Sequence, residues 1–222
     1  MNDADQNGHS HEGLQKLAFW TRWTCALLAL CIPFILFDLF ESVMFVNGGF
    51  ENWSYDSVTT YDSISATVAY VNLGVTVIST AVFGRWIYVA ASNLVDYGVE
   101  QFEYTPGWSV GWFFIPIANL FKPYQAMRQI WNGSRGSPGG DIDANHTLLI
   151  FWWGSWLATG IAGNISFRTF MTAEFYEDFY RGYSALLVSS LASLVLFPIA
   201  YQLVVRVNSA QQSWTDYRSV FD

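Results

Sequence analysis

Charge is scarce in this 222-residue chain: only 13% of its residues are Asp, Glu, Lys or Arg, against about 25% in an average soluble domain. Positive charge is scarcer still. Ten Lys and Arg stand against eighteen Asp and Glu, a formal net charge of −8, which excludes a nucleic-acid binder because that function needs a basic footprint. So little charge also excludes a disordered chain. There are two cysteines, Cys25 and Cys31, too few for a disulfide scaffold or a Cys-based zinc site. Six positions apart on one helix, they lie about 9 Å apart along its axis and cannot pair with each other; both read as small packing residues. Nucleophile motifs, a Walker loop, HExxH and facing haem-type His pairs are all missing, as is any repeat of 20–50 residues. No catalytic residue, cofactor or metal is therefore expected. Met1 to Glu12 is acidic and polar, without the basic start of a signal peptide.

What the chain has is apolar and aromatic residues, 52% and 18% of the total. The gaps between charges locate the long helices. Ser63–Gly84 is 22 residues without a charge, and Ala144–Phe167 and Gly182–Val205 are 24 each, all enough to cross the roughly 30 Å core of a membrane. Trp23–Phe37 is shorter, at 15 residues. It still serves if Arg22 snorkels to one interface and Asp38 and Glu41 sit at the other. The fold expected is all-α and polytopic, with spans at about 17–43, 63–90, 146–168 and 183–206. Residues 17–210 make one helical domain, 1–16 a polar, disordered cytoplasmic tail and 211–222 a short cytoplasmic tail.

A fifth window, Tyr104–Phe121, contains Pro106, Gly107, Gly111 and Pro116, followed by Pro123. A lipid-facing helix does not easily lose so many backbone bonds. The positive-inside rule separates the two possibilities. If the window does not cross, Lys16, Arg22, Arg85, Lys122, Arg128, Arg135, Arg206 and Arg218 share one side against Arg168 and Arg181, 8 to 2; if it crosses, the division is 5 to 5. Four spans are thus expected, with both termini cytoplasmic and residues 106–132 forming a broken re-entrant or interfacial segment on the cytoplasmic side. Val46–Asp62, without Lys or Arg but with Trp53, Tyr55 and Tyr61, suits the outer face. The later TAEFYEDFYRG stretch has an apolar stripe of Phe175, Tyr176 and Phe179 and a Glu177–Arg181 pair, so one of the two last helices should extend beyond the bilayer there. GSRGSPGG (133–140) reads as the flexible tip of the cytoplasmic connection.

The centre of the chain carries Arg85-Trp86, Asn93-Leu94, Pro106-Gly107-Trp108, Gly111-Trp112, Pro116-Ile117-Ala118-Asn119-Leu120, Pro123-Tyr124-Gln125-Ala126-Met127 and Ile130-Trp131. With these motifs, residues 55–210 resemble a bacterial membrane family catalogued as domain of unknown function 4328. The resemblance implies a multi-pass protein of the bacterial inner membrane and implies no activity.

The residues of the segment can be read directly. Gly107 and Gly111 remove side chains at a bend or close approach. Trp108 and Trp112 share a helical face at interface depth. Pro116 interrupts the helix, Asn119 is expected to cap the groups it frees, and Pro123 suits the first turn of a new helix. That helix sets Tyr124, Met127 and Trp131 on one side and Gln125, Arg128, Gln129 and Asn132 on the other, with Lys122 and Arg128 at an interfacial rim. The candidate binding residues are Trp108, Trp112, Asn119, Lys122, Tyr124, Arg128 and Trp131, contacting membrane lipids, another membrane protein or a second copy. The alternative to this hairpin site is a plain cap on the bundle.

Elsewhere the plain readings prevail. His9 and His11 lie in an acidic tail that could hold a metal weakly; His146, near Asp141 and Asp143, begins a helix. Asp38 and Glu41, a conceivable proton relay, read as the end of the first helix, opposite Arg168 or Arg181. Asn72 should find an interhelical hydrogen bond, and Trp152, Trp153 and Trp156 should pack. The functional expectation is a non-enzymatic accessory or scaffold. The alternative is a small transporter or channel for an ion or small solute, with only Asn72, Asn164, Thr and Ser to line a path. An enzyme would have to work with His146 and Asp143.

Overall fold

The computed structural model describes residues 3–49, 53–99, 102–135 and 147–214, with side chains in the first helix described from His11 onward. His146, Asp141, Asp143, the His9 side chain and most of the 133–140 connection fall outside these residues. The described residues hold six α-helices and no strand: α1 Asp3–Val46, α2 Tyr55–Asp96, α3 Pro106–Gly111, α4 Lys122–Ser134, α5 Thr147–Met171 and α6 Tyr176–Gln212, with 3₁₀ turns at Trp112–Phe114 and Ala118–Leu120. α1, α2, α5 and α6 are each long and apolar enough to cross a membrane.

All four long helices outrun the charge-free windows that located them. At 42 residues, α2 measures about 63 Å at 1.5 Å per residue, twice the thickness of a hydrocarbon core. The tail expected at 1–16 is helical from Asp3, and Leu14 in it is buried. At the other end α6 runs to Gln212, and Gln211 is fully buried. α6 begins at Tyr176, so it is the helix that extends into the TAEFYEDFYRG stretch. There Arg181 pairs with Asp178 at 3.4 Å rather than with Glu177. Pro33 and Pro198 lie inside α1 and α6 without ending them. α1 and α2 stop where Gly48 and Gly98 take φ of 69° and 71°, the left-handed turn that glycine adopts without cost and that closes the last carbonyls of a helix.

Backbone contacts divide the chain into two compact units. The first comprises residues 1–26, 79–150 and 200–222. Its core is made by helical stripes: Trp86, Ile87, Ala90, Ala91 and Leu94 of α2; Met127, Ile130 and Trp131 of α4; Leu203, Val204 and Val207 of α6; and Leu14 and Leu17 of α1. Several polar groups among them are paired, as burial favours, although the buried Trp131 indole Nε1 has no hydrogen-bond partner. The Trp86 indole donates to Thr21 Oγ1 at 3.0 Å. Asn93 Nδ2 donates to Gln211 Oε1 at 2.8 Å. Gln211 Nε2 in turn donates to Ser134 Oγ at 2.9 Å and to the Ala90 carbonyl at 3.1 Å. The Trp214 indole reaches the Ser134 carbonyl at 3.0 Å. One buried amide thus joins α2, α4 and α6.

The second unit comprises residues 27–78 and 151–199. In it α5 and α6 meet through small residues: Ala162, Ser166, Ser189, Ser190 and Ser193 are buried, and a Cβ on Gly163 would lie 3.3 Å from Ser189 Oγ. Ser189 donates to the Thr159 carbonyl at 3.1 Å. Such close backbone approach is how helices associate where surrounding lipid is as apolar as the side chains. Phe45 of α1 stacks on Tyr183 of α6, with centroids 4.2 Å apart. Trp152 and Trp153 are buried, and Trp153 stacks on Trp156 at 4.7 Å, a packing role as expected. Asp38 and Glu41 do not face Arg168 or Arg181. Asp38 accepts from Asn72 Nδ2 at 3.3 Å, the interhelical bond expected of that amide, and the buried Glu41 accepts from Ser65.

Candidate functional site

The Pro106–Trp131 segment folds back on itself within the first unit. Thr105 opens α3: its hydroxyl accepts from the Trp108 amide at 3.4 Å, and Pro106 follows in the first turn. Both residue types suit those places, so the Thr-Pro pair is a start signal present in the sequence. α3 runs into the first 3₁₀ turn and stops at Ile115, whose φ of −101° and ψ of 111° are extended. That is the backbone imposed on a residue preceding proline, and it makes Pro116 the break.

After the break the chain turns through Ala118–Leu120 and enters α4, with Pro123 in its first turn. The cap expected of Asn119 is absent. Phe121 is the N-cap of α4 and makes no side-chain bond there, and Asn119 Oδ1 is buried with no hydrogen-bond partner. The turn closes by backbone bonds alone, Asn119 N to Ile115 O at 2.7 Å, Leu120 N to Ile117 O and Phe121 N to Ala118 O both at 3.1 Å.

α4 is amphipathic in the sense expected. Met127 and Trp131 are buried with Ala126 and Ile130, Tyr124 is half-buried and Arg128 is exposed. Arg135 lies over the Trp131 ring at 4.2 Å. Partial burial, and then the Arg206 guanidinium, hold Arg135 below the ordinary arginine value. Trp108 and Trp112 share a face as expected, with centroids 4.8 Å apart. Gly111 serves that pair: a Cβ there would lie 3.0 Å from the Trp108 ring. The close approach it permits is to its own neighbour's indole.

Lys122 is not the free rim cation that the sequence suggested. Its ammonium lies 5.4 Å and 5.5 Å from the Tyr104 and Trp112 ring centroids and donates to the Tyr104 hydroxyl at 3.2 Å. Tyr104 donates onward to Gln125 Oε1 at 2.8 Å. One turn further along α4, Gln129 accepts from the Glu103 amide at 3.1 Å and donates to its carboxylate at 3.2 Å. Lys122, Gln125 and Gln129 thus clamp the start of the hairpin to α4. Sequence reading placed both glutamines on the polar face without giving them a partner, because Glu103 and Tyr104 meet them only once the hairpin has closed.

The far end of the hairpin is bare. Trp108, Phe114, Ile115, Ile117, Leu120 and Phe121 are all exposed large apolar side chains. The site therefore joins an apolar tip, a paired indole platform, a clamped lysine and an open arginine on one folded-back segment.

A fold built from four long apolar helices, with an amphipathic hairpin between the second and third of them, is that of a helical membrane protein. Residues 51–209 match the family described as Domain of unknown function (DUF4328), and the chain belongs to that family. No curated protein and no solved structure matches the chain.

Proposed function

We propose that the four long helices cross a bacterial cytoplasmic membrane, that both termini are cytoplasmic, and that Pro106–Trp131 folds back on the cytoplasmic side without crossing. In this reading the protein is a non-enzymatic accessory or scaffold, and the segment is where it meets a membrane partner or lipid. The observation that carries the reading is a coincidence in one compact unit. The unit that holds the whole 79–150 stretch also holds Lys16, Arg22, Arg85, Lys122, Arg128, Arg135 and Arg206, whereas the other holds Arg168 and Arg181 among its described residues. Acidic residues do not divide in this way: the second unit carries Asp38, Glu41, Asp56, Asp62, Glu174, Glu177 and Asp178, and the first carries Glu12, Asp96 and Glu103 among its described side chains. An uneven distribution of Lys and Arg of this kind is what the positive-inside rule looks for. The unit that holds most of the Lys and Arg also bears the exposed apolar tip, and exposed apolar surface of that kind marks an interaction site.

The test is affinity purification in mild detergent, with mass spectrometry of the proteins and lipids retained. Lys122→Gln combined with Arg128→Gln should fold and insert but lose co-purifying species. Retention of every species at the wild-type level would make the segment a structural cap and end the proposal.

A further inference from the structure

Taking that reading of the segment as given, we infer that its occupant is an anionic phospholipid leaflet: the Phe114–Ile117 tip enters the acyl region, Arg128 meets the headgroups, and Lys122 braces the hairpin from within. Phe114 and Ile117 are 78% and 76% exposed, and a tip of this size in water would be an unmet hydrophobic cost. Protein and lipid could both cover it, but the backbone favours lipid. Most of the turn is satisfied from within: the amides of Ile115, Asn119, Leu120 and Phe121 bond inside the hairpin and Pro116 has no amide to satisfy, which leaves that of Ile117 unbonded among the described residues. A backbone entering hydrocarbon must be satisfied internally in this way, whereas a protein partner could supply bonds of its own.

Charge points in the same direction. From Tyr104 to Ser134 there is no Asp or Glu, and the one carboxylate at the hairpin's start, Glu103, accepts a hydrogen bond from Gln129 Nε2 at 3.2 Å. Arg128 is exposed and has no hydrogen bond or ion pair among the described residues. Lys122 already spends its ammonium on Tyr104 and Trp112. The two cations that look equivalent in sequence therefore have different tasks. Half-exposed Trp108 sits between tip and clamp, where an amphipathic indole suits the headgroup level.

The experiment places an environment-sensitive NBD fluorophore on Phe114→Cys or Ile117→Cys, in a background with Cys25→Ala and Cys31→Ala. The full chain is reconstituted in vesicles of phosphatidylcholine with or without phosphatidylglycerol. The fluorophore should be quenched by doxyl-labelled lipids and shielded from aqueous iodide, and phosphatidylglycerol should raise the inserted fraction. In the mixed vesicles Arg128→Gln should lower the inserted-to-aqueous ratio about fivefold, the worth of one surface cation, and Lys122→Gln should lower it less. A fluorophore open to iodide in both vesicle types overturns the inference, as does one shielded from both quenchers, which would mean a second copy covers the tip. A ratio indifferent to phosphatidylglycerol and to Arg128→Gln removes the headgroup assignment. An aqueous tip, together with loss of co-purifying species in the double variant above, would sink the leaflet inference and leave the binding segment standing.

Discussion

Gln211 offers the sharpest check on how the hairpin is held. It is 0% exposed and makes three hydrogen bonds, to Asn93, Ser134 and the Ala90 carbonyl. Gln211→Met keeps the length and much of the volume, so the change reports polar pairing rather than a cavity. Three buried bonds at about 1 kcal/mol each suggest a loss of roughly 3 kcal/mol. Two partners are partly compensated. Asn93 Nδ2 keeps its 3.4 Å contact with the Gly13 carbonyl, and Ser134 keeps its 2.7 Å bond to the Ile130 carbonyl. The expected net loss is therefore about 2–3 kcal/mol, with a coupling of at least about 0.5 kcal/mol to Asn93→Leu in a double-mutant cycle. Denaturant titration in detergent micelles, followed by tryptophan emission, reads both quantities; Trp214, bonded to the Ser134 carbonyl and 4.6 Å from the Tyr97 ring, is a local reporter. A Gln211→Met protein within about 0.5 kcal/mol of wild type, or strict additivity with Asn93→Leu, would refute the view that this amide secures α4.

Two further substitutions test particular contacts by the same titration. Asn119→Leu should be neutral or slightly stabilising, because its buried oxygen has no partner to lose; a cap-sized loss of about 1 kcal/mol would restore the capping role. Asp38→Asn should be tolerated, since an amide oxygen still accepts from Asn72, while Asp38→Leu should cost about 1–3 kcal/mol by stranding the Asn72 donor. Equal stability of the two Asp38 variants would show that the α1–α2 bond contributes nothing.

The positions of the long helices were legible because a charge-free run long enough to span has few other uses. Their ends were not. α1 reaches Asp3 and α2 starts at Tyr55, where polar side chains continue a helix and leave no mark in hydropathy. Pro116 announced its break through the steric demand on Ile115. Asn119 misled because a residue type suited to capping says nothing about whether an unbonded amide is within reach. Lys122 and Arg128 are alike in sequence and differ only once the closed hairpin sets Tyr104 and Trp112 against Lys122. Gln211 was out of reach for the same reason: a glutamine near a chain end reads as solvated, and only the fold unites it with an asparagine 118 positions away.

Everything proposed for the hairpin depends on its lying on the same side as the termini. Topology reporters fused after Arg135, at the C-terminus and at Asp56 test this directly. The account expects cytoplasmic signals from the first two and an external signal from Asp56. An external signal after Arg135 would mean that Tyr104–Phe121 crosses the membrane as a fifth span, and would contradict the inner-face site.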